Sequence, residues 1–310
     1  MIVLSKNTKG NLLLILAAVL WGISFVMQDE AGAVLTPFAI NGIRSIIGSL
    51  VLVPLILIFS KKNGRPFFEK TKKERKDILT AGVLCGVFLC IATNFQQFGI
   101  NLYPEEAAAS GRSGFITALY VVLVPVFGIF MKKRISFTVW IGVALAVIGM
   151  CLLCLSGGIG SIYIGDIIII CCAFAFTMQI ICIDKYSDRV DGIKLSSMQF
   201  LVCGILSLIL MFIFEEPTLN QIKQAMPYIL YLGVVSCGMG YTLQIVGQQY
   251  SKNPTVASIL MSLESVFAVI SGAIILGERF TIRETVGCII MFGAIVFAQL
   301  PPLNFKKKES

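Results

Sequence analysis

The sequence predicts an all-α polytopic membrane protein with ten transmembrane helices, arranged as two inverted five-helix repeats. Ten apolar stretches fill the 310-residue chain, and a run of about 20 apolar residues can span the hydrocarbon core as a helix. Only 14% of the residues are charged, whereas soluble domains contain roughly 25%. The last five stretches resemble the first five. Because five is odd, the second set crosses the membrane in the opposite direction.

The predicted spans are joined by short connections. The first set occupies 11–28, 37–59, 77–99, 107–131 and 136–155, and the second occupies 163–183, 195–214, 227–249, 254–276 and 284–300. We divide the chain into a cytoplasmic N-terminus (1–10), a first repeat (11–155), a second repeat (163–300) and a basic cytoplasmic tail (301–310). The first span begins like a signal peptide, but its apolar run continues to Gln28 without a small-residue cleavage site, which predicts an uncleaved helix.

The basic residues predict the orientation of the spans. With a cytoplasmic N-terminus, three of the 25 Lys and Arg residues lie in outer loops and twenty in cytoplasmic segments. The twenty are Lys6, Lys9, eight residues from Lys61 to Lys76, Lys132–Arg134, Lys185, Arg189, Lys194, Lys252 and Lys306–Lys308. This bias follows the positive-inside rule. It predicts a multi-pass protein of the cell (plasma) membrane with both termini in the cytoplasm, and it explains the net charge of +8 without a nucleic-acid partner.

The internal repeat is visible at a nearly constant offset. Polar residues recur in register, which two unrelated apolar helices would rarely show. At an offset of 147 positions Gly86, Cys90, Asn94, Gln97 and Asn101 correspond to Gly233, Cys237, Tyr241, Gln244 and Gln248, and at 145 positions Arg134, Ser136 and Gly142 correspond to Arg279, Thr281 and Gly287. Inverted repeats of this kind are the architecture of secondary transporters, in which one half moves against the other around a central site.

Four stretches carry a family resemblance. They are AAVLWGISFV in the first span, SGFITALYVVLVP in the fourth, LESVFAV in the ninth and the LGERFT turn that follows it. With these stretches in this order, residues 11–300 resemble the EamA family of the drug/metabolite transporter superfamily. The resemblance implies two five-helix inverted repeats and the movement of small metabolites across a membrane. Two positions depart from the family pattern: the turn KKRIS, and Ser265 in place of Pro, which is expected to leave the ninth helix straighter.

Charged residues inside the predicted spans are the first candidates for a substrate site, because each costs about 2.5–3.5 kcal/mol at the membrane centre. Glu264 lies near the middle of the ninth span and could bind a substrate amine, carry a proton or fix helix packing. Arg112 in the fourth span could snorkel to the headgroups or face an anionic substrate group. For Arg44, snorkelling or pairing with a loop carboxylate is favoured over substrate contact. For Asp166, we favour capping of the sixth helix.

Two polar stripes on corresponding helices complete the candidate site. Asn94, Gln97 and Asn101 lie on one face of the third span, and Tyr241, Gln244 and Gln248 lie on one face of the eighth. We favour exposure of both stripes to a central cavity, and interhelical hydrogen bonding is the alternative. The predicted substrate-binding set is Trp21, Asn94, Gln97, Arg112, Tyr120, Gln179, Tyr241, Gln244 and Glu264. Trp21 and Tyr120 serve equally well as cavity wall or as core.

The predicted function is secondary transport of a small organic metabolite by alternating access, as an exporter or a facilitator. A zwitterion such as an amino acid would suit Arg112 and Glu264 if both faced inward, at depths that differ by less than about 10 Å. The alternative is a membrane-embedded enzyme, sensor or scaffold. The chain has no histidine, which excludes Ser–His and histidine-metal chemistry, and it has no P-loop motif. We expect no cofactor and no metal, a small solute and the lipid bilayer as partners, and a monomer or homodimer.

Overall fold

The computed structural model describes residues 5–62, 71–104, 108–130, 137–154, 163–251, 253–277, 279 and 281–298. Every regular element in these ranges is a helix, as the composition predicts. The first repeat contains α1 (Lys6–Gly32), α2 (Pro37–Lys62), α3 (Lys72–Asn101), α4 (Ala109–Thr117), α5 (Tyr120–Phe130) and α6 (Phe137–Cys154).

The second repeat contains the corresponding helices and two π-helical segments, here named π1 and π2. In chain order they are α7 (Ile164–Tyr186), α8 (Gly192–Phe214), α9 (Leu219–Leu230), π1 (Tyr231–Gly240), α10 (Tyr241–Ser251), α11 (Pro254–Met261), α12 (Leu263–Ser271), π2 (Gly272–Leu276) and α13 (Ile282–Ala298). The α9–π1–α10 segment is continuous and forms the predicted eighth span.

Capping side chains explain where several helices begin. Thr71 and Glu74 form a capping box at the start of α3, and Thr218 and Gln221 form another at the start of α9. Each box satisfies backbone N–H groups that a helix N-terminus leaves unpaired. Asn253 accepts hydrogen bonds from two N–H groups of α11. These sequence signals separate neighbouring helices in a chain whose apolar runs alone would allow longer ones.

Within the described ranges, eight helical segments are long and apolar enough to cross a membrane. They match eight of the predicted spans. The predicted fifth and tenth spans correspond to α6, with 18 residues, and α13, with 17, which are shorter than about 20 residues. The helical membrane fold is therefore confirmed, and the count of ten spans stays a prediction.

The packing of the helices reflects the repeat. Helix α2 packs against α8 and α6 packs against α13, so two pairs each join one helix to its counterpart. The halves of the fourth and ninth spans pack crosswise, α4 against α12 and α5 against α11. Helix α3 packs against α7, and the corresponding pair, α1 and α10, also pack together. Exchanging the two repeats thus reproduces the main contacts. The elements that surround the centre of the molecule come equally from both halves.

Two spans are interrupted at corresponding points near the centre. The fourth span breaks at Ala118 and Leu119, between α4 and α5, and the ninth breaks at Ser262, between α11 and α12. The ninth span is interrupted although Ser265 stands in place of Pro, and the comparison with proline-containing relatives stays a prediction. Ser262 donates to the carbonyl of Ile259, and Ser265 donates to the carbonyl of Ser262 at 2.7 Å. The N–H of Ser262 keeps the regular bond to the Ser258 carbonyl, whereas the N–H of Ser265 bonds to the Ser262 carbonyl at a three-residue spacing, so the pairing tightens here without a proline.

Small residues allow the central helices to approach closely. At Gly22 of α1, a Cβ atom would overlap Phe267 of α12. At Gly48 of α2, a Cβ atom would lie 2.6 Å from the Cβ of Cys237 in π1. Small residues serve this purpose in membrane helices, where dispersion contacts replace the hydrophobic effect between helices. The contact at Gly48 also holds α2 against π1, where a central cavity begins.

Candidate functional site

A cavity lies between the two repeats. The space enclosed by its lining is about 470 Å³ when the part open to solvent is included. Each repeat contributes seven lining residues. They are Trp21, Ser24, Phe25, Gln28, Arg44, Gln96 and Tyr120 from the first, and Phe176, Ile180, Ser236, Tyr241, Gln244, Met261 and Glu264 from the second. Five of the nine predicted binding residues are among them: Trp21, Tyr120, Tyr241, Gln244 and Glu264.

The acidic residue of the cavity is Glu264, in the first turn of α12. Its side chain is 4% exposed, and the Tyr120 hydroxyl donates a hydrogen bond of 2.8 Å to Oε1. Tyr120 directly follows the break in the fourth span, Glu264 is the second residue after Ser262, and the two lie 144 positions apart in corresponding helices. The N-terminal end of α12 favours a negative charge. The two helix breaks thus bring an acid and a phenol together at the centre.

The basic residue of the cavity is Arg44, on α2. The structure does not support the expectation that Arg44 snorkels or pairs with a loop carboxylate, because the residue is 4% exposed and faces the cavity. Within the described residues, Arg44 forms no ion pair, and its Nε atom has no hydrogen-bond partner. Its backbone is held against π1, since a Cβ at Gly233 would lie 3.0 Å from the Arg44 carbonyl oxygen.

Aromatic rings form one wall of the cavity. Tyr241 packs against Trp21 with ring centroids 4.6 Å apart and against Phe200 at 5.1 Å. The wall continues with Phe25 from α1 and Phe176 from α7. Trp21 and Phe25 lie 155 positions before Phe176 and Ile180, so corresponding positions of the first and sixth spans face each other. The recurrence of large apolar residues at this offset is a sequence signal for Phe25, Phe176 and Ile180, which are not in the predicted substrate-binding set.

The polar stripe of the third span has a different role from the one predicted. Gln97 donates to the carbonyl of Gln28 at 2.9 Å, and Asn94 donates to Ser207 Oγ at 2.9 Å. Both residues are buried in helix contacts and do not line the cavity. Gln96 lines it instead and donates to Thr117 Oγ1 at 3.1 Å. Adjacent residues on a helix differ by about 100° around its axis, so the rotation of α3 decides which one faces the cavity.

The stripe of the eighth span does face the cavity in part. Tyr241 and Gln244 line it, as predicted. Behind Gln244 lies Gln179, whose Oε1 accepts a hydrogen bond of 3.3 Å from Gln244. Gln179 in turn donates to Gln199 at 3.1 Å. Gln179 therefore supports the cavity wall and does not form part of its surface.

Arg112 does not face Glu264, contrary to the geometry expected for a zwitterion site. It forms a bidentate ion pair with Asp166, with Nε–Oδ1 and Nη2–Oδ2 distances of 2.7 Å. Asp166 also accepts hydrogen bonds from the hydroxyl of Tyr103 and the backbone N–H of Tyr163. The second contact is the predicted capping of the sixth span. Because α4 packs against α7, Arg112 reaches the capped N-terminus of α7, and its guanidinium lies 4.9 Å from the Tyr163 ring.

Several lining residues were absent from the predicted set. Gln28, Gln96 and Ser236 carry polar groups into the cavity, and Arg44 carries the positive charge. A polar residue inside an apolar span was the available signal for each of them. In the part of the chain that the structure describes, no three His, Cys, Asp or Glu side chains converge as possible metal ligands.

Comparisons with known proteins agree with this architecture. The model of the EamA-like transporter family matches the chain twice, over residues 8–155 and 163–299. An uncharacterized transporter of Archaeoglobus fulgidus is 26% identical over 95% of this chain and 87% of its own length. The uncharacterized transporter YvbV of Bacillus subtilis is 25% identical over 93% of this chain and 91% of its own. A solved crystal structure with 15% identity superposes with a TM-score of 0.72, covering 95% of this chain and 99% of the other.

Proposed function

Because the chain belongs to the EamA-like transporter family, we propose that this membrane transporter is a secondary transporter that carries a small organic metabolite through the central cavity by alternating access, as an exporter or a facilitator. The observation that carries the proposal is the cavity itself. It lies between two repeats that contribute equally to its lining, and it contains one acidic and one basic side chain. Broken helices beside a central site are a feature of transporters that move one repeat against the other.

The helix breaks supply a physical basis for that movement. At Ala118–Leu119 and at Ser262, the chain leaves regular helical pairing next to Tyr120 and Glu264. At both points three-residue backbone bonds, from Leu119 to Ile116 and from Ser265 to Ser262, replace part of the regular pairing, and helices bend where that pairing is disturbed. The Tyr120–Glu264 hydrogen bond joins the two breaks. We propose that this bond changes when the cavity alternates between the two sides of the membrane.

A membrane-embedded enzyme is a weaker candidate. The chain contains no histidine, and the two charged residues of the cavity do not form a catalytic pair with each other, since Glu264 is hydrogen-bonded to Tyr120. If transport is coupled to protons, Glu264 is the cavity residue that would carry them. We place the protein in the plasma membrane with both termini in the cytoplasm, which the distribution of basic residues supports.

Two glutamine substitutions test the transport proposal. Purified protein in liposomes is assayed by counterflow against a panel of amino acids, nucleosides, sugars and organic acids. Gln244→Leu removes a polar group from the cavity surface and should lower transport of the solute that the wild type carries by at least about tenfold, equal to about 1.4 kcal/mol.

Gln97→Leu is the matched control. It removes the corresponding amide, which does not line the cavity and donates to the backbone carbonyl of Gln28 instead of reaching the solute. It should lower thermal stability and leave the apparent affinity of the remaining folded protein unchanged. A wild type that moves no solute in the panel would refute the proposal. Equal losses of affinity in both variants would show that the cavity is not the transport site.

A further inference from the structure

Four buried polar atoms around the cavity have no hydrogen-bond partner among the described residues. Two are donors, Nε of Arg44 and Nε1 of Trp21, and two are acceptors, Oε1 of Gln28 and Oε1 of Gln244. All four residues line the same cavity. More than about 90% of buried polar groups in proteins are hydrogen-bonded, because burying one without a partner leaves its lost hydration uncompensated. Twelve buried polar atoms of the described residues lack such a partner, and these four are the ones on residues that line the cavity, where a bound solute would satisfy them.

Arg44 sets the charge of that ligand. Its guanidinium is always protonated, and a charged side chain inside a membrane typically faces a cavity and pairs with an opposite charge or a backbone carbonyl. The carboxylate of the cavity does not serve, because Glu264 accepts its hydrogen bond from Tyr120 and forms no ion pair with Arg44. Arg112 cannot take the same ligand group, since Asp166 holds it in a bidentate pair. Arg44 is thus the cation of the cavity that is available to an anion.

The opposite charge and the acceptors define the other end of the ligand. Glu264 has a hydrogen bond on Oε1, and the amide oxygens of Gln28 and Gln244 have none. Carboxylate and amide oxygens are acceptors for an ammonium group, whereas Arg44 and Trp21 are donors for a carboxylate. The aromatic wall formed by Trp21 and Tyr241 would cover an apolar portion between the two charged ends.

We propose that Arg44 binds the carboxylate of a small zwitterionic solute, whose ammonium group is held by Glu264 with the amide oxygens of Gln28 and Gln244. This assignment rests on the proposed transport function and gives its substrate class. Each charge of the solute offsets the desolvation of a charge of the cavity. A zwitterion fits the single cation and single acid better than a monoanion or a monocation, each of which leaves one of the two unpaired.

The test uses leucine and two analogues that each lack one of its charges. Leucinamide lacks the carboxylate, and 4-methylpentanoate lacks the amine. Each competes for counterflow of the solutes that the wild type transports, and each is assayed for its effect on the thermal stability of purified protein. Leucine, or another amino acid compared with its amide and its deaminated acid, should compete at least about tenfold more strongly than either single-charge analogue. Arg44→Gln should abolish the advantage of the amino acid over its amide, and Arg44→Lys should restore part of it.

Arg112→Gln is the matched control, because it removes another arginine from a span at a position outside the cavity. It should lower stability and leave the ratio between the three probes unchanged. If the wild type transports solutes but prefers neutral or cationic ones, or if Arg44→Gln keeps the wild-type preference, the assignment of Arg44 is overturned while the transport function stands. If the wild type transports nothing, the transport function fails, and this assignment fails with it.

Discussion

The ion pair between Arg112 and Asp166 can be tested by a double-mutant cycle. Two hydrogen bonds of 2.7 Å join the side chains, which are 14% and 6% exposed. Removing one partner of a buried ion pair costs about 3–5 kcal/mol, because the other charge is left without a partner. Arg112 keeps some exposure, so we expect about 3 kcal/mol for Arg112→Gln and a similar loss for Asp166→Asn. At about 2–4 °C per kcal/mol for large domains, each midpoint falls by about 6–12 °C.

The double variant Arg112→Gln/Asp166→Asn should recover about half of the summed loss, since neither charge is then left unpaired. Arg112→Lys keeps the charge but loses the bidentate geometry and should fall between the wild type and Arg112→Gln. Thermal unfolding is measured by fluorescence of the purified protein in detergent. The double variant should also transport the same solutes as the wild type, because neither residue lines the cavity.

A second cycle, between Arg112 and Glu264, distinguishes this geometry from the one expected from sequence. The structure pairs these residues with Asp166 and Tyr120, respectively, so the effects of Arg112→Gln and Glu264→Gln should be additive. For the earlier Arg112–Asp166 cycle, thermal unfolding midpoints of Arg112→Gln and Asp166→Asn that each lie within about 1 °C of the wild type would show that the ion pair does not stabilise the fold. Recovery in the Arg112/Glu264 double variant would refute the arrangement described here.

Three further experiments test other parts of the structure. Tyr120→Phe removes the hydroxyl that donates to Glu264; it should destabilise the protein by about 1.5–3 kcal/mol and slow transport, and unchanged values for both would exclude a role for the bond. Gly22→Val places a side chain where α1 contacts α12 and should reduce the yield of folded protein on size-exclusion chromatography, whereas normal yield would contradict the close contact. In a cysteine-free background, Glu216→Cys should react with an impermeant thiol reagent from outside and Lys73→Cys should not; the reverse labelling would invert the proposed orientation.

The sequence by itself determined the class of protein. Composition and the length of apolar runs are read directly from the sequence. A helix is the regular element that satisfies its own backbone N–H and C=O groups in lipid without neighbouring segments. The repeat was visible for the same reason, because Gln97 and Gln244 recur at one offset whatever the helices contact. The sequence also identified Glu264 as a candidate for the cavity, because a charge in the middle of a span is costly unless it faces a cavity or a partner.

Only the tertiary structure decided which polar side chains meet. In a soluble helix the polar face marks the solvent, but the spans of this chain are apolar on most sides, so the sequence does not reveal how each helix is rotated. The choice between Gln96 and Gln97 depends on that rotation of α3. The partner of Arg112 depends on α4 packing against α7, which brings Asp166 within 2.7 Å. Arg44 faces the cavity because glycines in α2 and π1 let these elements approach closely, a contact between residues almost 200 positions apart.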